Sequence, residues 1–202
     1  MSVTGHPQLL ELHGAELEPW LEALGALRIR VFREFPYLYD GTLDYEREYL
    51  RTYVRSSRSL VVLAIDENGK AVGATTCIPL EDEGPEFQES FIKHGFDIHD
   101  VLYFGESILL PEWRGHGTGK EFFQHREAHA QRLDVKWTAF CAVDRAMDHP
   151  MRPANYRPLD SFWTAQGYKK HPLMQATFVW KETGEAAESP KTLTFWLKSW
   201  TR

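Results

Sequence analysis

The sequence predicts a single mixed α/β domain. Four apolar runs of strand type, SLVVLAI, AVGATTCIPL, VLYFGESILL and VKWTAFCAV, alternate with stretches whose apolar residues recur every three or four positions. The chain has 202 residues, 43% of them hydrophobic and 26% charged, which fits one globular domain with a sizeable core. No internal repeat or linker divides residues 1–202.

Leu9–Leu12 is a candidate first strand. From Pro19, which suits a first helical turn, Trp20, Leu24, Leu27, Val31 and Phe35 follow helical spacing. Arg28, Arg30 and Arg33 are read as the solvated face of that helix. After the aromatic loop Pro36–Gly41, a second helix carries Tyr45, Tyr49 and Tyr53 four residues apart, a stripe that reads as core packing. Ser59–Ile65 and Ala71–Leu80 are strands. Asn68-Gly69 between them is a strong hairpin signal, because both residues tolerate positive φ.

Residues 81–100 open acidic, with a short helix expected at Glu86–His94 and no clear core face. They read as a solvated insertion, with a lid as the alternative. Val101–Leu110 is the next strand. Val135–Val143 has the near-continuous apolar character of a covered parallel strand. Pro150, Pro153 and Pro158 make residues 144–160 an irregular loop. Ser161–Gln166 is a helix stopped by Gly167, and Gln175–Lys181 and Thr192–Trp200 are the last strands.

The chemistry concentrates at Val101–His129, where a strand ends at Pro111 and leads through PEWRGHGTG into a helix beginning near Gly119. Gly115, Gly117 and Gly119 let a ligand approach the backbone closely, so several N–H groups can converge on one anion. The helix N-terminus adds a positive dipole and Arg114 a full charge, an arrangement suited to a pyrophosphate. Neither of two familiar loops fits. The P-loop would need a glycine at 114 and a hydroxyl where Glu121 stands, and the dinucleotide fingerprint needs a wider second glycine spacing.

What does match is R-x-x-G-x-G at Arg114, Gly117 and Gly119. Together with Phe162-Trp163-Thr164-Ala165-Gln166-Gly167-Tyr168 downstream, it resembles the GNAT superfamily of acyl-CoA-dependent N-acetyltransferases. The resemblance covers nearly the whole chain. It implies a mixed sheet of about seven strands flanked by helices, acetyl-CoA as co-substrate without a metal, and a primary amine as acceptor. Polyamine, amino acid, antibiotic and protein terminus stay open, and the expected aromatic lining suits a small molecule. It further implies that backbone groups of Ile108, Leu109 and Leu110 pair with pantetheine and that Arg114, Gly115, His116, Gly117, Thr118, Gly119 and Lys120 hold the pyrophosphate. Glu106, on the strand five residues before Pro111, stands where many members carry a glutamate base. Trp163 departs from the tyrosine that many members use to protonate the thiolate, and an indole is no useful acid. Tyr156 and Ser161 are the nearest substitutes, Tyr156 just ahead of the late helix. The acceptor would lie against Phe35, Tyr37, Tyr39 and Arg157.

A base matters because an alkylamine of pKa near 10.4 is mostly protonated at pH 7. A carboxylate within an apolar strand is costly to bury without purpose, and burial raises its pKa toward the useful range. The structural alternative is a glutamate paired with an arginine. Trp163 also leaves room for a second reading, a non-catalytic acyl-CoA sensor or interaction module on the same scaffold. His125 and His129 read as two histidines on one helix face, since HREAH is not the HExxH of a metal pair, and His149 as a turn residue. Cys77 and Cys141 read as small buried hydrophobes. The net charge of −6 gives no support to nucleic-acid binding, and no apolar run approaches the ~20 residues of a membrane span. With no signal peptide at the N-terminus, the expectation is a cytoplasmic protein. Pairing with a second copy of the chain is left open.

Overall fold

The computed structural model describes residues 5–200. The sheet runs in the order β1 (Gln8–Leu12), β2 (Leu60–Ile65), β3 (Ala71–Pro79), β4 (Val101–Tyr103), β6 (Trp137–Val143), β8 (Ser189–Ser199) and β7 (Lys169–Trp180). The eighth strand, β5 (Ser107–Leu109), pairs with the first half of β3, whose last residues pair with β4. The expected strand 101–110 is therefore two strands. The expectation of a parallel Val135–Val143 holds over three residues only: β6 is parallel to β4 at 137–139 and antiparallel to β8 along its whole length.

In the β2–β3 hairpin only Gly69 takes a positive φ, 78°. Asp66 organises that turn instead, its carboxylate accepting from the Asn68 and Lys70 N–H groups at 2.9 and 2.8 Å.

Before α1 (Leu21–Phe32) the chain winds a 3₁₀ turn, Gly14–Trp20, which contains Pro19; Phe35 lies beyond the helix end. Thr42 caps α2 (Leu43–Arg55), its hydroxyl accepting from the Tyr45 N–H at 3.4 Å. Leu24, Leu27 and Leu50 bury the facing sides of α1 and α2, each worth ~2 kcal/mol. Pro85 starts α3 (Pro85–Lys93). Its Phe87 and Phe91 are buried, so residues 81–100 are not a solvated insertion. α4 (Thr118–Arg132) buries Phe122, Phe123, Arg126, His129 and Ala130 along one side. α5 (Asp160–Ala165) stops at Gly167, whose φ is 89°.

Candidate active site

The strand from Val101 breaks at Gly105-Glu106, where two residues oppose one. Gly105 N–H donates to the Thr76 carbonyl at 3.2 Å, while Thr76 N–H donates to the Glu106 carbonyl at 3.0 Å. A Cβ on Gly105 would stand 2.0 Å from the Tyr53 hydroxyl, so the bulge needs glycine there. Phe104 N–H to the Ala139 carbonyl, 2.7 Å, is the last link between this strand and β6. Beyond it β5 stays with β3 and β6 stays with β8, so among the described residues the two inner edges diverge unpaired.

Glu106 sits at the apex of that divergence. Its N–H donates to the Thr76 hydroxyl at 3.2 Å, and its carbonyl accepts from the Thr75 hydroxyl at 2.7 Å and from Arg126 at 3.4 Å. Arg126 is buried, its guanidinium 4.2 Å from the Phe104 ring centre and 4.5 Å from that of Phe123, and burial lowers its pKa to about 10. The Glu106 carboxylate binds Arg28 through Oε2, and Arg28 also binds Glu46. Oε1 of Glu106 is buried with no hydrogen-bond partner among the described residues, a state that costs ~1–3 kcal/mol or more for a charged group. Burial raises the Glu106 pKa above the usual carboxylate range, and the Arg28 charge opposes that rise. Burial works against the Arg28 charge too, yet Glu106 and Glu46 hold its pKa well above normal.

Arg28 corrects the expectation of a solvated arginine face. It lies four residues after Leu24 and three before Val31, which places it on the buried stripe. Arg30 and Arg33 are exposed as expected.

Glu106 lines a cavity of about 380 Å³, within the size range of small-molecule sites. Aromatic rings dominate its wall: Tyr37, Tyr45, Tyr49, Phe87, Phe178 and Trp180 come from four separate segments of the chain. The tyrosine stripe of α2 is thus divided. Tyr53 is fully buried core, while Tyr45 and Tyr49 face the cavity. Behind Tyr49 its hydroxyl lies 3.3 Å from that of Tyr53, which donates to Glu83 at 3.3 Å. Burial pushes the Glu83 carboxyl up to about 8.

Downstream, β5 leads to the glycine loop. The Glu106 carbonyl and the Leu110 N–H point at β3, so by strand alternation Leu109 turns its backbone groups to the open edge. The Leu109 carbonyl accepts from Arg114 Nε at 2.8 Å, leaving its N–H as the exposed donor of the Ile108–Leu110 stretch. Gly115 and Gly117 have φ of 86° and 96°, and a Cβ on either would meet open space. Among the described residues the N–H groups of 115–119 have no backbone acceptor, and the buried Thr118 hydroxyl has no partner at all. This is a cradle of unused donors at the start of α4, of the kind that accepts an anion. Arg114 is engaged with Glu34 at 2.9 Å, while His116 and Lys120 are exposed beside the cradle.

Of the other expected residues, Tyr37 and Tyr39 line the cavity; Phe35, Tyr156 and Arg157 are not on its wall. Phe35 and Tyr156 pack edge to face at 4.7 Å, and Arg157 is exposed. Burial raises the Tyr156 pKa, which makes it a weaker acid. Trp163 packs between Phe140 and Trp196 at 5.1 and 5.2 Å. His125 binds Glu11 at 2.6 Å and His129 the Arg58 carbonyl at 2.8 Å, and no metal-binding cluster exists among the described residues. Both cysteines are free. No described helix is long and apolar enough to cross a membrane.

Sequence reasoning missed Arg28, Arg126, Glu86 and the ring wall from Phe87, Phe178 and Trp180. Only Arg28 left a signal, its position on the apolar stripe.

No family model and no curated protein sequence matches the chain. Its fold, however, is that of the GNAT acetyltransferases. It is similar to a ribosomal-protein-alanine N-acetyltransferase from Brucella melitensis at 17% identity, covering 94% of this chain and 99% of that one, TM-score 0.61. A GNAT-family acetyltransferase from Staphylococcus aureus Mu50 matches at 10% identity, over 96% of this chain and 100% of that one, TM-score 0.59. Another from Streptococcus pneumoniae matches at 13%, over 95% and 99%, TM-score 0.58. At such identities the likeness is one of fold.

Proposed function

We propose that this chain is an acetyl-CoA-dependent N-acetyltransferase that acts on a primary amine, with Glu106 as its base. The observation that carries the reading is the Glu106 carboxylate, buried on the wall of an aromatic cavity with Oε1 unpartnered. The glycine cradle fits a pyrophosphate through its unused N–H groups and the unpartnered Thr118 hydroxyl. The Leu109 N–H on the open edge suits an extended amide chain added beside β5. Bound acetyl-CoA would supply a thioester, whose carbonyl carbon takes the nitrogen lone pair as the carbon–sulfur bond breaks.

The protein's own work is then to present the amine neutral and in line. Glu106 Oε1 accepts a proton from the nitrogen, directly or through one water, and burial makes that carboxylate more basic than an exposed one. Arg28 anchors Oε2, so the free oxygen keeps one orientation. Thr75, Thr76 and Arg126 fix the backbone behind it. Holding the amine against the thioester contributes further rate through proximity. The leaving thiolate, of conjugate pKa near 8.5, takes its proton from solvent.

One observation favours a second reading, an acyl-CoA-binding module without transfer: the ion pair to Arg28 satisfies half of the Glu106 carboxylate. Thiol release from acetyl-CoA across a panel of amines decides. Release above the no-amine rate supports transfer. CoA binding without release by any amine supports the module.

A further inference from the structure

Resting on the acetyl-transfer reading, we infer that the acceptor is a primary amine on an apolar, ring-bearing body without a carboxylate. Among the described residues that line the cavity, Arg28 is the only cation, and it is already paired with both Glu46 and Glu106. The other charged group on the wall is Glu86. Nearby Arg145 is committed to the Pro36 and Tyr37 carbonyls, at 2.6 and 3.1 Å, and to Glu182. Arg157 is not on the wall. A carboxylate on the acceptor would meet the unpartnered oxygen of Glu106 and, at the exposed edge of the wall, Glu86, with no free cation to pair with, so it is disfavoured. An amino acid is therefore the wrong shape of charge, whereas a lone ammonium is attracted.

The body of the ligand follows from the wall. Phe87 packs on Phe178 at 4.6 Å and on Tyr103 at 4.9 Å, and Tyr37 faces Trp180 at 6.1 Å. Such rings stack on a planar apolar group and also stabilise an ammonium by cation–π attraction. A polyamine would need a second buried, uncommitted carboxylate. Glu46 is taken by Arg28, and Glu86 is exposed. In the reaction one ammonium proton passes to Glu106 and on to solvent. The neutral nitrogen of the ring-bearing amine then gains the acetyl group as the thioester C–S bond breaks, and the nitrogen's second proton is lost to solvent, which protonates the thiolate.

Calorimetry on the CoA-saturated protein tests this with three probes: 2-phenylethylamine, phenylalanine and spermidine. We expect 2-phenylethylamine to bind at least ~10-fold tighter than either of the others. Phe178→Ala should weaken it ~10-fold, and Glu86→Lys should narrow its advantage over phenylalanine. Phe178 is only half-buried, so its variant should fold. Equal or tighter binding of phenylalanine or spermidine, or no binding of 2-phenylethylamine, overturns the inference. Thiol release with the same probes separates the two levels. Binding of 2-phenylethylamine with no release by any amine refutes transfer but keeps the ligand class. Release that favours spermidine or phenylalanine refutes the class but keeps transfer.

Discussion

The glycine loop and the aromatic cavity lie at the two ends of one short strand, β5, and they are made of different material. The loop at 114–119 is backbone: open space beside Gly115 and Gly117, unused N–H groups and a helix start. The cavity is side chains from α1, α2, α3, β7 and the bulge at Glu106, held by a buried Arg28 that carries two carboxylates. A site of backbone groups is specified locally and resists change elsewhere in the chain. A site of assembled side chains depends on tertiary packing and fails with it. The two should therefore break separately.

The largest effect is expected at Arg28. Arg28→Met strands the Glu46 and Glu106 carboxylates in the core, and stability should fall by ~3–5 kcal/mol, read by chemical denaturation. A loss below ~1 kcal/mol would mean that water or relaxation rescues the carboxylates and that the cavity is looser than described.

Next comes Glu83, behind the cavity. Glu83 keeps its proton in the folded chain up to about pH 8, whereas the unfolded chain releases it near 4.5. Within that window the folded state holds more protons, so stability falls as pH rises from 4.5 to 8. Glu83→Gln removes the penalty, and its stability relative to the parent should climb by ~2–4 kcal/mol between pH 5 and pH 8. A difference that stays flat with pH would show that Glu83 is ionised in the fold.

Gly117→Asp should act on the loop alone. It puts a Cβ at a φ of 96° and a negative charge where an anion is expected. CoA affinity should drop ~10–100-fold by calorimetry, while the binding of an amine to the cavity is unchanged. A matched loss at both sites would end the separation between them.

This division also explains what could be read from the sequence. Glycine spacing, the preceding strand and the following helix are all local, so the loop and its fold were legible from Arg114–Gly119 and Phe162–Tyr168. The break at Gly105-Glu106 was not, because it exists only opposite Thr76 and beneath the Tyr53 hydroxyl. Tyr37 and Tyr39 were legible as neighbours of a loop. Phe178 and Trp180 lie more than 130 residues further on and join the cavity only through the sheet. Arg28 was misassigned although its spacing from Leu24 and Val31 was in plain view, because a charged residue on an apolar stripe is rarely buried unless paired. Its partners, Glu46 and Glu106, are distant in sequence. Residues 81–100 looked solvated because α3 buries only its Phe87 side and offers no long apolar stripe.

The most direct test of the account is Glu106→Gln, assayed from pH 6 to pH 9 with the best amine from the panel and with CoA affinity measured alongside. Turnover should fall ~10²–10⁴-fold near pH 7 and recover part of that loss toward pH 9, where more of the amine arrives neutral. CoA affinity and folding should be preserved. A folded Glu106→Gln variant whose turnover matches the parent across the whole range would contradict the account, and leave Glu106 as no more than a partner for Arg28.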